Sequence, residues 1–89
     1  MKVTKLNPKE NDMETGMLWC DTDPVADLAT KIRRAAAYYN DKFGQKPNIC
    51  YVHPSEIPTR VRRTSGIQIR PNSHLRPGHL WMGIRVLSG

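Results

Sequence analysis

The sequence predicts a small α+β domain, an open-faced two-layer sandwich in which one helix packs on a mixed sheet of three or four strands. Three observations predict this class. The chain has 89 residues, enough for one domain with a modest core. One long apolar stripe at helical spacing predicts a single helix. Short apolar or alternating runs on both sides of that helix predict strands, in the order β-α-β-β-β.

The helix is the strongest local signal in the chain. Asp23 is a suitable N-cap, Pro24 suits the first helical position, and Gly44 suits a left-handed stop. The sequence therefore predicts a helix from Pro24 to Phe43, with one apolar face. The residues of this face are Val25, Leu28, Ala29, Ile32, Ala36, Tyr39 and Phe43.

Four short segments have the character of strands. A strand-helix-strand unit of this length predicts that the strands on either side of the helix run parallel. One helix covers only one face of such a sheet, so the other face is open to solvent or to a partner. The predicted strands span residues 17–20, 48–53, 66–70 and 79–87.

Residues 1–16 contain few apolar side chains and end at a glycine. They are predicted to form an extended or mobile N-terminal lead-in, with a short edge strand at residues 2–6. Residues 17–89 then form the single α+β domain.

Alternation in the last two strands assigns their side chains to opposite faces of the sheet. A register slip of one residue would exchange the two faces. The side chains predicted to contact the helix are Leu80, Met82, Ile84, Val86, Ile67 and Ile69. Those predicted to face away are Trp81, Arg85, Gln68, Arg70 and either Leu18 or Trp19.

Positive charge is concentrated in the later part of the chain. Residues 1–30 hold three basic and six acidic residues, a net charge of −3, and residues 31–89 hold eleven basic and two acidic residues, a net charge of +9. Such asymmetry attracts phosphate-rich or acidic partners. Aromatic rings among arginines suit nucleic acid, because the rings stack on bases and guanidinium groups hold phosphates. The candidate nucleic-acid-binding residues are Arg60, Arg62, Arg63, Arg70, Arg76, Trp81 and Arg85.

The sequence thus predicts a small, basic, non-catalytic binding module that contacts DNA or RNA through an Arg-rich loop and the open sheet face. The alternative is a protein-interaction or self-assembly subunit, with a protein partner or a second copy on that face.

The later part of the chain runs through His53-Pro54-Ser55, Gly66-Ile67-Gln68-Ile69 and Arg76-Pro77-Gly78 to a closing strand. This order is similar to the C-terminal part of tailed-phage capsid proteins. This resemblance covers about 40 residues and implies a role in assembly.

A second alternative is a small metal-binding or hydrolytic site at Cys20, Asp21, Asp23 and His53, in which His53 is expected at the same end of the neighbouring parallel strand. The segment Leu18-Trp19-Cys20-Asp21-Thr22-Asp23 resembles the nucleophile motif of haloacid dehalogenase phosphatases over those six residues, which implies hydrolysis at the aspartates. Asp23 also has an explanation as a helix cap.

Cys50-x2-His53 and His74-x4-His79 have loosely zinc-like spacing. Residues i and i+3 of a strand point to opposite faces, however, so a core cysteine and three surface histidines are the simpler interpretation. We therefore expect no catalytic residue, no metal and no cofactor.

The sequence also predicts a cytoplasmic protein without a membrane partner. Only two cysteines are present, Cys20 and Cys50, which does not indicate a disulfide framework. The first residues lack the apolar core of a signal peptide. No apolar run approaches the roughly 18 residues that span a bilayer.

Overall fold

The computed structural model describes residues 2–4 and 13–85. A short 3-10 helix at Pro54–Glu56 follows the third strand. The other elements are β1 (Lys2–Thr4), β2 (Met13–Cys20), α1 (Leu28–Phe43), β3 (Ile49–Val52), β4 (Arg63–Thr64), β5 (Ile67–Pro71) and β6 (His79–Arg85).

The strands form one open sheet in the order β1-β2-β6-β3-β5-β4, and α1 packs on one of its faces. Among the described strands, β3 and β5 pair in parallel, and the other pairs are antiparallel. The α+β class and the open two-layer arrangement are therefore confirmed. The sheet has six strands rather than three or four, because the short β1 and β4 complete its edges. The two residues of β4 lie in a segment whose prolines and arginines favour a loop.

The strands that flank the helix are parallel in direction but are not neighbours. β2 is antiparallel to β6, and β6 is antiparallel to β3, so β6 lies between the two. The expected placement of His53 on the strand next to Cys20 is therefore wrong. The local pattern predicts direction, whereas the insertion of a later strand between two earlier ones depends on long-range pairing.

The helix begins at Leu28, four residues later than the sequence predicts. Its N-cap is Asp27, whose carboxylate accepts a hydrogen bond from the backbone N–H of Thr30 at 2.9 Å. The carboxylate of Asp23 accepts the N–H of Val25 at 3.0 Å in a turn before the helix. Two good capping residues stand four residues apart, and the fold uses the second one.

The end of the helix and most of its apolar face are confirmed. Gly44 has a φ of 74°, and its N–H donates to the carbonyl oxygen of Asn40 at 2.8 Å. Val25 precedes the helix and is 91% exposed, so its assignment to the apolar face is wrong. Ile32, Ala35 and Tyr39 are the buried helical residues.

The core lies between α1 and the inner face of the sheet. Ile84 packs against it with partial exposure, while Val86 lies outside the described residues. The thiol of Cys50 is fully buried, and this burial raises its pKa to about 12. The residues of this cluster are Met17, Ile32, Ala35, Tyr39, Cys50, Val52, Ile67, Ile69, Leu80 and Met82. Ile49 is also fully buried, on the face of β3 that it shares with Tyr51.

The predicted lead-in joins the sheet where the structure describes it. Lys2–Thr4 pairs with β2, and β2 itself begins at Met13. Residues 5–6 of the predicted edge strand and residues 86–87 of the last predicted strand lie outside the described residues. The domain boundary at residue 17 stays a prediction.

Asn48 joins the three central strands just before β3. Its side-chain oxygen accepts the N–H of Arg85 at 2.7 Å, and its side-chain nitrogen donates to the carbonyl oxygen of Arg85 at 3.1 Å. Its backbone N–H donates to Gly83 at 3.0 Å, and its carbonyl oxygen accepts from Gln68 at 2.9 Å. One residue thereby fixes the register of β6 and β5 relative to β3.

Candidate nucleic-acid interface

A row of side chains crosses the sheet on the face away from the helix. Leu18 pairs with Trp81, Trp81 with Tyr51, and Tyr51 with Arg70, so the row runs across β2, β6, β3 and β5. Leu18, Trp81 and Tyr51 each lie between two residues that pack in the core, and Arg70 follows the buried Ile69, which directs these four outward. Adjacent strands lie about 4.8 Å apart, so the row is about 14 Å long. We call these four residues the outer row.

Trp81 lies against the backbone of the neighbouring strand. A Cβ atom at Gly16 would stand 2.5 Å from Cζ2 and 2.8 Å from Cε2 of its indole ring. Only a glycine at this position leaves room for the ring. Trp81 is consequently partly buried rather than fully exposed, and the ring is held within the outer row.

Of the two residues proposed to face outward from the first strand, Leu18 does so. Trp19 lies on the opposite face, where it packs against the core. Its ring centroid is 5.4 Å from that of Tyr38 on the helix.

An arginine cluster continues the outer row at the far edge of the sheet. Arg63 pairs with Gln68 across β4 and β5, which places both on the outer face. In the amide orientation that satisfies both groups, the side-chain oxygen of Gln68 accepts from Nε of Arg70 at 3.2 Å and from Nη2 at 3.0 Å. The carbonyl oxygen of Arg62 accepts the N–H of Ile69 at 2.9 Å, which ties the loop to β5. These three arginines are exposed.

A groove of about 560 Å³ opens between this loop, the 3-10 helix and β5. Its walls combine polar and apolar surface in nearly equal parts, and two guanidinium-bearing residues border it. Such a groove suits a planar, partly apolar group that carries a negative charge beside it. The lining residues are Pro54, Ile57, Val61, Arg62, Gln68, Ile69, Arg70 and Pro71.

The other three candidate arginines lie apart from this cluster. Arg60 is exposed in the loop with a φ of 74° and does not line the groove. Arg76 lies beyond the opposite end of the outer row, in a pocket that it shares with Leu18. Arg85 is partly buried near the end of β6, where Asn48 holds its backbone.

Tyr51 is a member of the outer row that the sequence analysis did not single out. Its strand reads Ile49-Cys50-Tyr51-Val52, in which every residue favours β-structure and no polar residue marks the outer face. The burial of Cys50 and Val52 is the signal that assigns Tyr51 outward, and this signal requires knowing that both enter the core.

The two aspartates after β2 are bound within the protein. The carboxylate of Asp21 accepts the N–H of Asp23 at 3.1 Å and lies 3.4 Å from Nη1 of Arg34. The carboxylate of Asp23 lies 3.1 Å from the same nitrogen. The hydrogen bond from the N–H of Val25 and the bond from Arg34 lower the pKa of Asp23. This arrangement links the end of β2 to the helix and gives both carboxylates a structural explanation.

The candidate metal ligands do not form one group. In the described part of the chain, no three His, Cys, Asp or Glu side chains are grouped closely enough to hold a metal ion. Cys50 lies in the core. Nδ1 of His53 bonds with the hydroxyl of Ser55 at 2.7 Å and with its N–H at 3.1 Å, which caps the 3-10 helix.

Comparison with protein-family models, curated proteins and solved structures gives no match to this chain. Neither of the two resemblances found in the sequence gains support from these comparisons. Among the described residues, no helix has the length and apolar character needed to cross a membrane.

Proposed function

We propose that this domain is a non-catalytic module that binds single-stranded nucleic acid on the outer face of its sheet. One observation carries the proposal: Tyr51 and Trp81 stand side by side in the outer row, with Arg70 at one end of it. The exposed side chains of Arg62 and Arg63 extend this end.

The chemistry of binding follows from the row. Bases stack on the two aromatic rings, and each stack contributes about 1–3 kcal/mol. Arg62, Arg63 and Arg70 hold phosphates through their guanidinium groups. Three such contacts on a single strand give a slope of log K against log salt concentration of about −2.

The geometry favours a single strand over a duplex. In a duplex the π-faces of the bases are stacked on the neighbouring base pairs and cannot stack on a sheet, whereas the bases of a single strand are free to do so. The groove beside Arg62 and Arg70 also has a volume, about 560 Å³, that is large enough to receive an unpaired base.

The test is a titration of fluorescently labelled single-stranded DNA and RNA, followed by anisotropy at several salt concentrations. The variant Arg62→Gln/Arg70→Gln is expected to bind at least tenfold more weakly, because each lost charged contact contributes about 1.5–3 kcal/mol before compensation. Tyr51→Leu keeps the apolar volume but removes a stacking surface, and it should weaken binding while leaving the salt slope unchanged.

The matched control is Arg33→Gln/Lys46→Gln, which removes the same charge from exposed positions on the helix side of the molecule. It should leave affinity within about twofold, since long-range charge effects are screened at moderate salt. Equal losses in both double variants would show attraction to overall charge rather than to this face, and would contradict the proposal. The absence of salt-dependent binding would do so as well.

A protein partner or a second copy on the same face receives less support. Among the described residues, the large apolar side chains with high exposure are Val25 at 91% and Tyr38 at 37%, and neither belongs to the outer row. Light scattering at high protein concentration separates the cases, since a self-assembling subunit would exceed the monomer mass of 10.2 kDa.

We also propose a reducing, cytoplasmic setting. Both cysteines are free, with Cys20 exposed and Cys50 enclosed in the core. The two thiols therefore cannot pair without unfolding. Equal stability with and without a thiol reductant supports this setting, and a loss of stability on reduction would contradict it.

A further inference from the structure

A second pocket, of about 280 Å³, borders the outer row at Leu18. Leu18 lines this pocket and is also the cross-strand partner of Trp81. The outer row is therefore bordered by the arginine groove at one end and by this pocket at the other. The residues that line the pocket are Leu18, His74, Leu75, Arg76 and His79. We call it the histidine pocket.

The turn between β5 and β6 brings the polar groups of the histidine pocket together. The N–H of His74 is held by the side-chain oxygen of Asn72 at 2.9 Å, and the N–H of Leu75 donates to the carbonyl oxygen of Asn72 at 3.2 Å. The N–H of His79 donates to the carbonyl oxygen of Arg76 at 3.1 Å. His74, Arg76 and His79, which lie in and after these two turns, all line the histidine pocket.

The lining residues carry one guanidinium and two imidazoles, and none of them is acidic. Within the described part of the chain, Nδ1 of His79 is buried and has no hydrogen-bond partner. Buried polar atoms of this kind are uncommon, and binding sites are one place where they occur.

The titratable groups near the histidine pocket that do not line it are either exposed elsewhere or bonded to other residues. The carboxylate of Glu56 accepts the N–H of Gly78, and the carboxylate of Asp21 is held by Arg34. Cys20 pairs with His79 across β2 and β6 and is exposed. Lys2 pairs with Leu18 at the edge of the sheet. His53 is engaged by the hydroxyl and N–H of Ser55.

We propose that the histidine pocket binds a phosphomonoester, carried either at the end of a nucleic-acid strand on the outer row or by a free nucleotide. The proposal deepens the proposed function and rests on it for the strand that occupies the outer row. A phosphomonoester reaches a charge near −2 at neutral pH and has three acceptor oxygens, which match one guanidinium and two imidazoles. A phosphodiester inside a strand carries only one charge and no free end to enter a pocket.

The first experiment titrates the protein with a nucleoside 5′-monophosphate and, separately, with the same nucleoside without phosphate, and follows the imidazole signals of His74 and His79 by NMR. Saturable shifts with the monophosphate alone support the proposal. The absence of shifts, or equal shifts with both ligands, would overturn it.

The second experiment compares single strands that carry a 5′-phosphate, a 3′-phosphate or no terminal phosphate. At least one phosphorylated end is expected to increase affinity about tenfold. Arg76→Gln and His74→Gln, both at exposed positions, should each reduce this preference, whereas Arg33→Gln on the helix should preserve it. Equal affinity for all three strands would count against the proposal.

These outcomes separate the histidine pocket from the proposed function. Shifts with the monophosphate but no binding of any strand would mean that the outer row does not bind nucleic acid while the pocket still binds a free nucleotide. Strand binding without preference for a phosphorylated end, and without shifts, would leave the outer row as proposed and remove the pocket.

Discussion

Gly16→Ala is expected to destabilise the domain by displacing Trp81. The added Cβ would stand 2.5, 2.8 and 3.1 Å from three ring atoms, all nearer than ordinary contact. Overpacking of this kind typically costs about 1–3 kcal/mol. Replacement of glycine by alanine in a strand increases the free energy of unfolding by about 0.5–1 kcal/mol, because it lowers the conformational entropy of the unfolded chain. The net effect should be a loss of about 1–2 kcal/mol.

The measurement is urea and thermal unfolding by circular dichroism. A loss of 1 kcal/mol lowers the Tm of a domain of this size by about 4–8 °C. The same substitution in a Trp81→Leu background isolates the contact, because the smaller side chain leaves room for the Cβ. In that background, Gly16→Ala should be neutral or slightly stabilising. An equal loss in both backgrounds, or no loss when Trp81 is present, would refute the explanation.

Three further outcomes follow from the fold. Asn48→Ala should cost about 1–3 kcal/mol in urea unfolding, because two partly buried backbone groups of Arg85 lose their partners; an unchanged midpoint would contradict this. Iodoacetamide should modify Cys20 in the native protein and Cys50 only on unfolding, since Cys50 is buried with its pKa raised to about 12; mass spectrometry after a short exposure distinguishes the two. Hydrogen bonds from the side chain and N–H of Thr30 lower the pKa of Asp27 in the fold. The contribution of the Asp27 carboxylate to stability is therefore present above about pH 4 and is lost as the pH decreases further. Asp27→Ala should flatten the dependence of Tm on pH below pH 4.

Local patterns predicted much of the fold because burial and capping act over short distances. The apolar stripe of α1 and the stop at Gly44 follow from spacing and from one left-handed residue. The alternation of Leu80 and Met82 with Trp81 correctly assigned the two faces of β6. The predicted start of the helix was wrong because Asp23 and Asp27 are equally good caps in sequence. The two differ in the fold, where Asp23 forms an ion pair with Arg34.

The composition of the outer row could be predicted only in part. Alternation supplied Trp81 and Arg70, but their spacing depends on which strands lie between them. Placing Tyr51 between the two requires the pairing of β3 with both β6 and β5, which joins distant parts of the chain. The fit of Trp81 on Gly16 depends on the same long-range register.

The position of β6 has a consequence for how the domain folds. This strand comes last among the described elements, yet it separates β1 and β2 on one side from β3, β5 and β4 on the other. Neither group of strands can join the other before β6 is in place, so the sheet should assemble in one cooperative step limited by distant pairings. Such high contact order is typical of folding on the millisecond to second scale. During synthesis, the first five strands would remain without their central member until β6 leaves the ribosome, and mutations in β6 should slow folding more than mutations in α1.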